Sequence, residues 1–343
     1  MQPTPYGPGA ATAIGSMPGT DAGDSARIVL GELPEFPHLP ELPARGVGAD
    51  TIGRAAAMLV DLAVEVVPSG YRVTAHPGRD HRRGVDLLRR DMDEIQEAVE
   101  RAGGGARAMK VQAAGPWTLS AGIELARGHR VLTDNGAVRE FTASLIEGLV
   151  RHIGEVRDRT GLPVMVQLDE PTLPAVLAGS LSTPSGYGAV GAVAEPSAQE
   201  VLAEVIATVE DASGNPVIVH CCAARPPITL LRNAGAGALA IDVTQRFSAS
   251  VLDELGEAWD AGLTMLLGLV PGIEPGSPLA LREAAGPALE LVDRLGFGRA
   301  MLAEHAVPTP CCGLAGADAS WMRRALALTR DLGKAFAEPP EGW

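Results

Sequence analysis

The stretch PVIVHCC, residues 216–222, combines a short apolar run with three residues of metal-ligand type. The apolar run shows no alternation of apolar and polar side chains, which is typical of a strand buried on both faces of a parallel sheet. Other short runs of this kind predict further strands, at residues 108–112, 164–168, 238–241, 264–269 and 300–303.

Helical periodicity separates these runs. Apolar side chains recur at helical spacing in residues 85–99, and the same pattern predicts helices at 52–66, 138–157, 198–209 (with Ser197 as N-cap), 251–259, 279–295 and 319–337. Alternating strands and helices indicate a parallel sheet. We therefore predict an α/β fold, a single-domain (β/α)8 TIM barrel over residues 11–340 that follows a flexible N-terminus at residues 1–10. A doubly wound open sheet is the structural alternative.

Composition excludes several classes of function. The net charge of −14 argues against nucleic acids and anionic membranes as partners. Residues 1–15 lack the features of a signal peptide, and the longest apolar stretch, residues 263–270, is too short to span a bilayer. We expect a soluble, cytoplasmic protein. The four cysteines form two adjacent pairs, which does not fit a secreted disulfide scaffold.

Polar residues follow the predicted strands at the point where each strand ends. They are Asp169 and Glu170, His220 to Cys222, Asp242, and Glu304 and His305 with Cys312 farther on. In a barrel, the carboxyl ends of all strands meet at one rim, where such enzymes carry their chemistry. The sequence therefore predicts that these side chains form a common site.

The spacing of His220 and Cys222 suits a zinc ion. Residues two apart in an extended segment point to the same face, so both can reach one metal while Cys221 points away. Cys312 can supply a second sulfur, and Asp242 an oxygen. Zinc in such a site deprotonates a substrate thiol, and the resulting thiolate can attack a methyl group.

Other interpretations of these residues remain open. Cys222 could be a catalytic nucleophile with His220 or His305 as its base, and the cysteines could be buried apolar residues. Asp169 and Glu170 could bind a substrate ammonium group, or they could serve as an ion pair or a helix cap. His305 could equally be a buried histidine of the core.

Five segments, taken in order, resemble a known family. They are Thr12 to Ser16 (TAIGS), Gly115 to Thr118 (GPWT), Gln167 to Pro171 (QLDEP), Val219 to Cys222 (VHCC) and Pro310 to Leu314 (PCCGL). The chain resembles the catalytic barrel of cobalamin-independent methionine synthases, especially their short single-barrel forms. That family belongs to the superfamily that also holds uroporphyrinogen decarboxylase.

The resemblance implies a zinc-dependent methyltransferase that converts homocysteine to methionine. It makes His220, Cys222 and Cys312 zinc ligands, with Asp242 in the place of the family's glutamate ligand. The amino-acid end of homocysteine would lie against Ile14, Gly15 and Ser16. Its ammonium group would meet Asp169, with Glu170 beside it.

The chain departs from the family pattern in three ways. Asp242 is one methylene shorter than the glutamate ligand, and residues 268–274 lack the histidine that assists methyl transfer, so we expect Glu274 or His305 in that role. The N-terminal barrel of the long enzymes is absent. Its absence points away from folate and towards a methyl-corrinoid carrier protein or another donor.

Three other functions compete with this one. They are methyl transfer to a different thiol, a metal-free reaction of the uroporphyrinogen-decarboxylase type, and a degenerate barrel that only binds zinc or a thiol.

Overall fold

The structure, a computed structural model, describes residues 6–183 and 186–339. Its strands, numbered in chain order, are β1 (Ala63–Val67), β2 (Gly70–Thr74), β3 (Met109–Ala114), β4 (Ile123–Glu124), β5 (Val164–Asp169), β6 (Ile218–His220), β7 (Ala238–Asp242), β8 (Thr264–Val270) and β9 (Ala306–Pro310). Six of them form a curved parallel sheet in the order β3-β5-β6-β7-β8-β9. This sheet confirms the predicted α/β class.

The described residues also form twelve α-helices, which are α1 (Ala22–Glu32), α2 (Thr51–Met58), α3 (Arg79–Ala102), α4 (Pro116–Gly122), α5 (Asn135–Thr160), α6 (Leu173–Ala178), α7 (Glu195–Ser213), α8 (Ile228–Asn233), α9 (Ala249–Asp260), α10 (Leu281–Leu295), α11 (Ala300–His305) and α12 (Ala319–Ala337). Helix α7 begins two residues before the predicted N-cap Ser197, and its observed N-cap is Ala194. None of the described helices combines the length and apolar character needed to cross a bilayer.

The predicted helix at residues 52–66 is wrong in its second half. Helix α2 ends at Met58, and β1 begins at Ala63. Between them Asp61 has a φ of 60°, which a continuing helix does not permit. Strands β1 and β2 form a hairpin that also pairs with β4. The valines of residues 60–67 favour this extended structure over a helix.

The predicted strand at residues 300–303 is also wrong. These residues belong to α11, and the strand β9 follows at Ala306–Pro310. Ala300 to Glu304 are strong helix formers, whereas Pro308 and Pro310 hide the strand signal of β9 because proline lacks a backbone donor. Such prolines are tolerated at the edge of a sheet, which is where β9 lies. Consequently Glu304 and His305 precede a strand instead of following one.

Two extended segments link the edge strands β3 and β9. Leu39 N donates to Lys110 O at 2.8 Å, and Met17 N donates to Glu41 O at 2.8 Å. On the other side, Thr12 N donates to Pro308 O at 3.4 Å. Residues 12–17 and 37–41 therefore lie between the two edges of the six-stranded sheet.

The core has two parts. The larger packs the helices against the sheet, and the smaller lies on the inner side of the curve and includes Phe36, Met165 and Leu266. Of the predicted flexible N-terminus, residues 1–5 lie outside the described residues. Tyr6 is buried, and its ring lies 5.2 Å from that of Phe36.

Candidate metal centre

Three side chains of metal-ligand type meet at the carboxyl edge of the sheet. His220 is the last residue of β6, Cys222 follows two residues later, and Cys312 lies two residues beyond β9. Their ligand atoms all lie within 4.8 Å of one another, and the two sulfurs are 3.5 Å apart. The structure thus brings together residues that lie far apart in the sequence.

The ring of His220 is oriented by Asp169. The two residues are register partners on β5 and β6, and His220 Nδ1 lies 2.8 Å from Asp169 Oδ1. His220 Nε2 is buried and has no hydrogen-bond partner among the described residues. A carboxylate on one ring nitrogen, with no partner on the other, is the usual arrangement of a histidine that binds a metal.

The charges of the three side chains depend on one another. Burial lowers the pKa of His220, but Asp169 and Cys312 outweigh this effect and raise it to about 9. The hydrogen bond from Cys222 and the neighbouring His220 ring lower the pKa of Cys312, and the adjacent Cys312 sulfur raises the pKa of Cys222. The cluster therefore gathers negative charge on sulfur beside an unpaired nitrogen, a donor set that suits Zn²⁺.

The other two cysteines belong to the core. Cys221 is fully buried, and Cys311 is nearly so. Burial raises the pKa of each thiol to about 12. Neither belongs to the group around His220.

Asp242, the expected fourth ligand, is likewise outside that group. Its Oδ1 accepts hydrogen bonds from Thr244 N (3.0 Å) and Thr244 Oγ1 (2.6 Å), and its Oδ2 accepts one from Gln245 Nε2 (2.9 Å). Gln245 Nε2 also donates to the Cys222 carbonyl at 3.0 Å. The carboxylate thus stabilises the loop after β7. Through Gln245 it also holds the Cys222 segment.

Glu170 forms hydrogen bonds to the first turn of helix α4. Its carboxylate accepts hydrogen bonds from Trp117 N (2.9 Å), Thr118 N (2.8 Å) and Thr118 Oγ1 (2.7 Å). A Cβ at Gly115 would overlap with this carboxylate. The QLDEP and GPWT segments therefore meet in one helix cap, and substrate binding by Glu170 stays a prediction.

Residues 14–16 border the metal cluster. Ser16 O accepts a hydrogen bond from Leu314 N at 2.8 Å, and Gly313, next to Cys312, faces the Ser16 hydroxyl. Ile14 O points the other way and accepts hydrogen bonds from two buried side chains. The backbone of this segment thus lies between the cluster and the interior of the sheet.

The structure does not bring His305 to the cluster, and the role expected of Glu274 stays a prediction. His305 lies at the amino end of β9, and strand geometry puts it about 20 Å from Cys312, which follows the carboxyl end. This position leaves the role of a buried histidine. Glu274 is exposed on the loop after β8, and it makes no hydrogen bond or ion pair with any described residue.

Two charged residues at the site were missed by sequence reasoning. Glu41 is buried, and burial raises its pKa to about 7 although Arg54 lies 3.5 Å away and Lys110 is near. Asp169 adds negative charge beside it. Lys110 is fully buried on β3. A lysine and a glutamine inside one buried strand were the signal that could have identified this polar interior.

Comparisons with known proteins agree with this geometry. Residues 10–335 match the family model described as the catalytic domain of cobalamin-independent synthase. No protein of the curated set matches the sequence.

Among solved structures, the chain is similar to a B12-independent methionine synthase from Shewanella sp. W3-18-1 in complex with selenomethionine, with a TM-score of 0.61, 10% identity, and coverage of 96% of this chain and 97% of that one. It is also similar to a putative vitamin-B12 independent methionine synthase from Listeria monocytogenes, with a TM-score of 0.58, 16% identity, and coverage of 97% and 98%. A methyltransferase from Methanosarcina mazei gives a TM-score of 0.57, 15% identity, and coverage of 96% and 94%.

Proposed function

Because the chain belongs to the family of cobalamin-independent methionine synthase catalytic domains and is a methyltransferase of that type, we propose that it methylates the thiol of homocysteine to give methionine. We further propose that His220, Cys222 and Cys312 hold one Zn²⁺ for this reaction. The observation that carries the proposal is the buried, unpaired Nε2 of His220 beside two sulfurs 3.5 Å apart.

The two sulfurs and the imidazole give a site with three protein ligands. Zinc sites in enzymes typically have three protein ligands and one exchangeable position. When bound, zinc supplies the Lewis acidity that lowers the pKa of a substrate thiol and makes the thiolate available at neutral pH. Asp169 holds the His220 ring, and Asp242 holds the Cys222 segment through Gln245.

The amino-acid end of the substrate has a matching environment. Within the described residues no hydrogen bond reaches Asp169 Oδ2, while the buried Glu41 adds a second carboxylate nearby. Two carboxylates suit an ammonium group, and the Ile14-Gly15-Ser16 backbone offers polar groups to the rest of the amino acid. The complex of the Shewanella enzyme with selenomethionine supports an amino acid of this kind as ligand.

We also propose that the sheet is a closed (β/α)8 barrel and that residues 11–340 form one domain. The hydrogen bonds that join residues 12–17 and 37–41 to each other and to the two edge strands support this closure, because these segments add two members to the six strands. A methyl-corrinoid carrier protein, expected as a partner from the sequence, has no support from the comparisons and is not part of the proposal.

The test is methionine formation by the purified, zinc-loaded protein. Homocysteine is supplied with methylcobalamin or with methyltetrahydrofolate, and methionine is measured by mass spectrometry. We expect product with at least one donor, loss of product and of zinc in Cys222→Ser, and retention of both in Cys221→Ser. If the wild type binds no zinc, or if Cys221→Ser alone loses it, the proposed ligand set is wrong.

2-Mercaptoethanol serves as the competing thiol acceptor. Because it lacks the ammonium and carboxylate groups, it should react far more slowly than homocysteine. An equal rate would mean that the protein does not select an amino acid.

A further inference from the structure

Lys110 is a lysine buried inside the curve of the sheet, and burial lowers the pKa of its amine to about 7. It is the second residue of β3, and its side chain is inaccessible to solvent. Its Nζ donates to Ile14 O at 2.9 Å, to Gln167 Oε1 at 2.8 Å and to Gln112 Oε1 at 3.3 Å. Three acceptors match the three N–H groups of an ammonium. Burying a charge is costly unless such partners compensate it, so a lysine here requires an explanation beyond packing.

The lysine fixes the orientation of the Gln167 amide. Because Nζ donates to the Gln167 oxygen, the Gln167 amide nitrogen must face away from it. Gln167 Nε2 then donates to Ile14 O at 2.9 Å and to Asp169 Oδ1 at 2.7 Å. Both side chains thus hold the same carbonyl of the segment at residues 14–16.

The second bond of Gln167 continues to the metal cluster. The Asp169 oxygen that accepts it is also the oxygen that lies 2.8 Å from His220 Nδ1. Lys110, Gln167, Asp169 and His220 therefore form one continuous chain of hydrogen bonds, with a branch at Ile14 O. Every link is buried, so water does not compete for it.

We propose that Lys110 and Gln167 are a pair of positioning residues that fixes the substrate-binding segment Ile14-Gly15-Ser16 and the metal ligand His220 relative to each other. Neither side chain contacts the cluster directly. The pair sets the direction of Asp169, and thereby of the His220 ring, while it anchors the backbone that faces the amino-acid end of the substrate. This inference rests on the proposed zinc site, and it adds two buried residues that lie farther inside the sheet.

The first measurement is zinc affinity, determined by competition with a chromogenic chelator. Lys110→Met keeps the length of the side chain and removes the charge. Gln167→Glu keeps an acceptor for Lys110 but removes both amide donors, so the two variants interrupt the chain of hydrogen bonds at different links. We expect roughly 10- to 100-fold weaker zinc binding in both variants, the effect typical of residues that orient a metal ligand. The control is Ser120→Ala, whose buried hydroxyl has no partner among the described residues.

The second measurement needs no metal. In zinc-free protein, amide hydrogen exchange in the peptide that covers residues 12–17 should be at least several-fold faster in both variants than in the wild type and in Ser120→Ala. A purely structural role would lower the melting temperature without this local effect. The double variant should bind zinc about as weakly as either single variant, because the two residues act in one chain.

Zinc affinity within twofold of the wild type in folded Lys110→Met and Gln167→Glu overturns the inference, as does unchanged exchange at residues 12–17. If the wild type itself binds no zinc, the proposed function fails. The exchange experiment then still decides whether the pair anchors the substrate-binding segment.

Discussion

Asp242 forms its hydrogen bonds within the loop that follows β7. The shorter carboxylate lies among Thr244 and Gln245, and both of its oxygens accept hydrogen bonds there. The same Gln245 amide nitrogen also donates a hydrogen bond to the Cys222 carbonyl. In this arrangement the Asp242 carboxylate supports the Cys222 segment.

We predict that Asp242→Ala retains one zinc per chain. Loss of the contact through Gln245 should weaken zinc binding by about tenfold, whereas Cys222→Ser removes a ligand and should abolish binding. Elemental analysis after gel filtration in the presence of a mild chelator measures both variants. Equal loss of zinc in the two variants would make Asp242 a ligand after all.

At the scale of single residues, the sequence identifies candidate side chains but does not show which groups they contact. His220, Cys222 and Cys312 could be selected because few residue types bind zinc and because the spacing of the first two fits an extended segment. Glu170 and Asp169 look alike in sequence, yet one caps a helix and the other faces the metal cluster. The difference depends on the backbone amides that lie nearby. Those that bind Glu170 belong to Trp117 and Thr118, more than 50 residues earlier in the chain.

The turn from β3 into α4 illustrates the same dependence between elements. Glu170, at the end of β5, fills the space above Gly115 and accepts hydrogen bonds from the first amides of α4. A carboxylate at a helix N-terminus satisfies donors that the helix itself cannot. The turn therefore requires a residue without a Cβ.

We predict that Gly115→Ala lowers the free energy of unfolding by about 1–3 kcal/mol, because the new methyl group overlaps a carboxylate that cannot move without losing its hydrogen bonds. Urea unfolding followed by circular dichroism measures the change. Gly154→Ala is the matched control, since a Cβ there would meet nothing within 4 Å and should be neutral or stabilising. Equal stability of the two variants would remove the steric argument.

Elements were predictable where their periodicity was undisturbed. The buried strands β5, β7 and β8 and the helix α12 follow their predicted ranges closely. Strand β9 was missed because two of its five residues are prolines, and α11 was mistaken for it because a six-residue helix is too short to show periodicity. The closing segments at residues 12–17 and 37–41 owe their place to long-range pairing, which local patterns do not encode.

At the scale of the whole molecule, the buried His152 on α5 makes one destabilising contribution in acid. Burial, helped by the nearby charge of Arg54, lowers the pKa of His152 to about 4. Between pH 4 and about 6.5 the unfolded chain binds a proton that the folded chain does not, so stability falls as the pH falls through this window.

We predict that His152→Gln reduces the acid sensitivity by on the order of 1 kcal/mol per pH unit between pH 6.5 and 4. Urea unfolding at a series of pH values measures the slope. His129→Gln is the control because His129 is exposed, and it should behave like the wild type. A slope in His152→Gln equal to that of the wild type would show that this histidine is not protonated on unfolding in that window.

Zinc itself should stabilise the fold, because its proposed ligands join β6 to the segment after β9, and the two sulfur ligands are 90 positions apart in the sequence. A ligand that binds only the folded state at a free concentration of 1,000 times its Kd adds about 4 kcal/mol. For a chain of this size that corresponds to a rise of several degrees in Tm.

We therefore predict that removal of zinc by a chelator lowers the Tm by several degrees and that added Zn²⁺ restores it. Mg²⁺, which prefers oxygen ligands, should not restore it. Cys222→Ser should show neither change in scanning calorimetry. A shift of the same size in that variant would mean that the metal acts elsewhere on the chain.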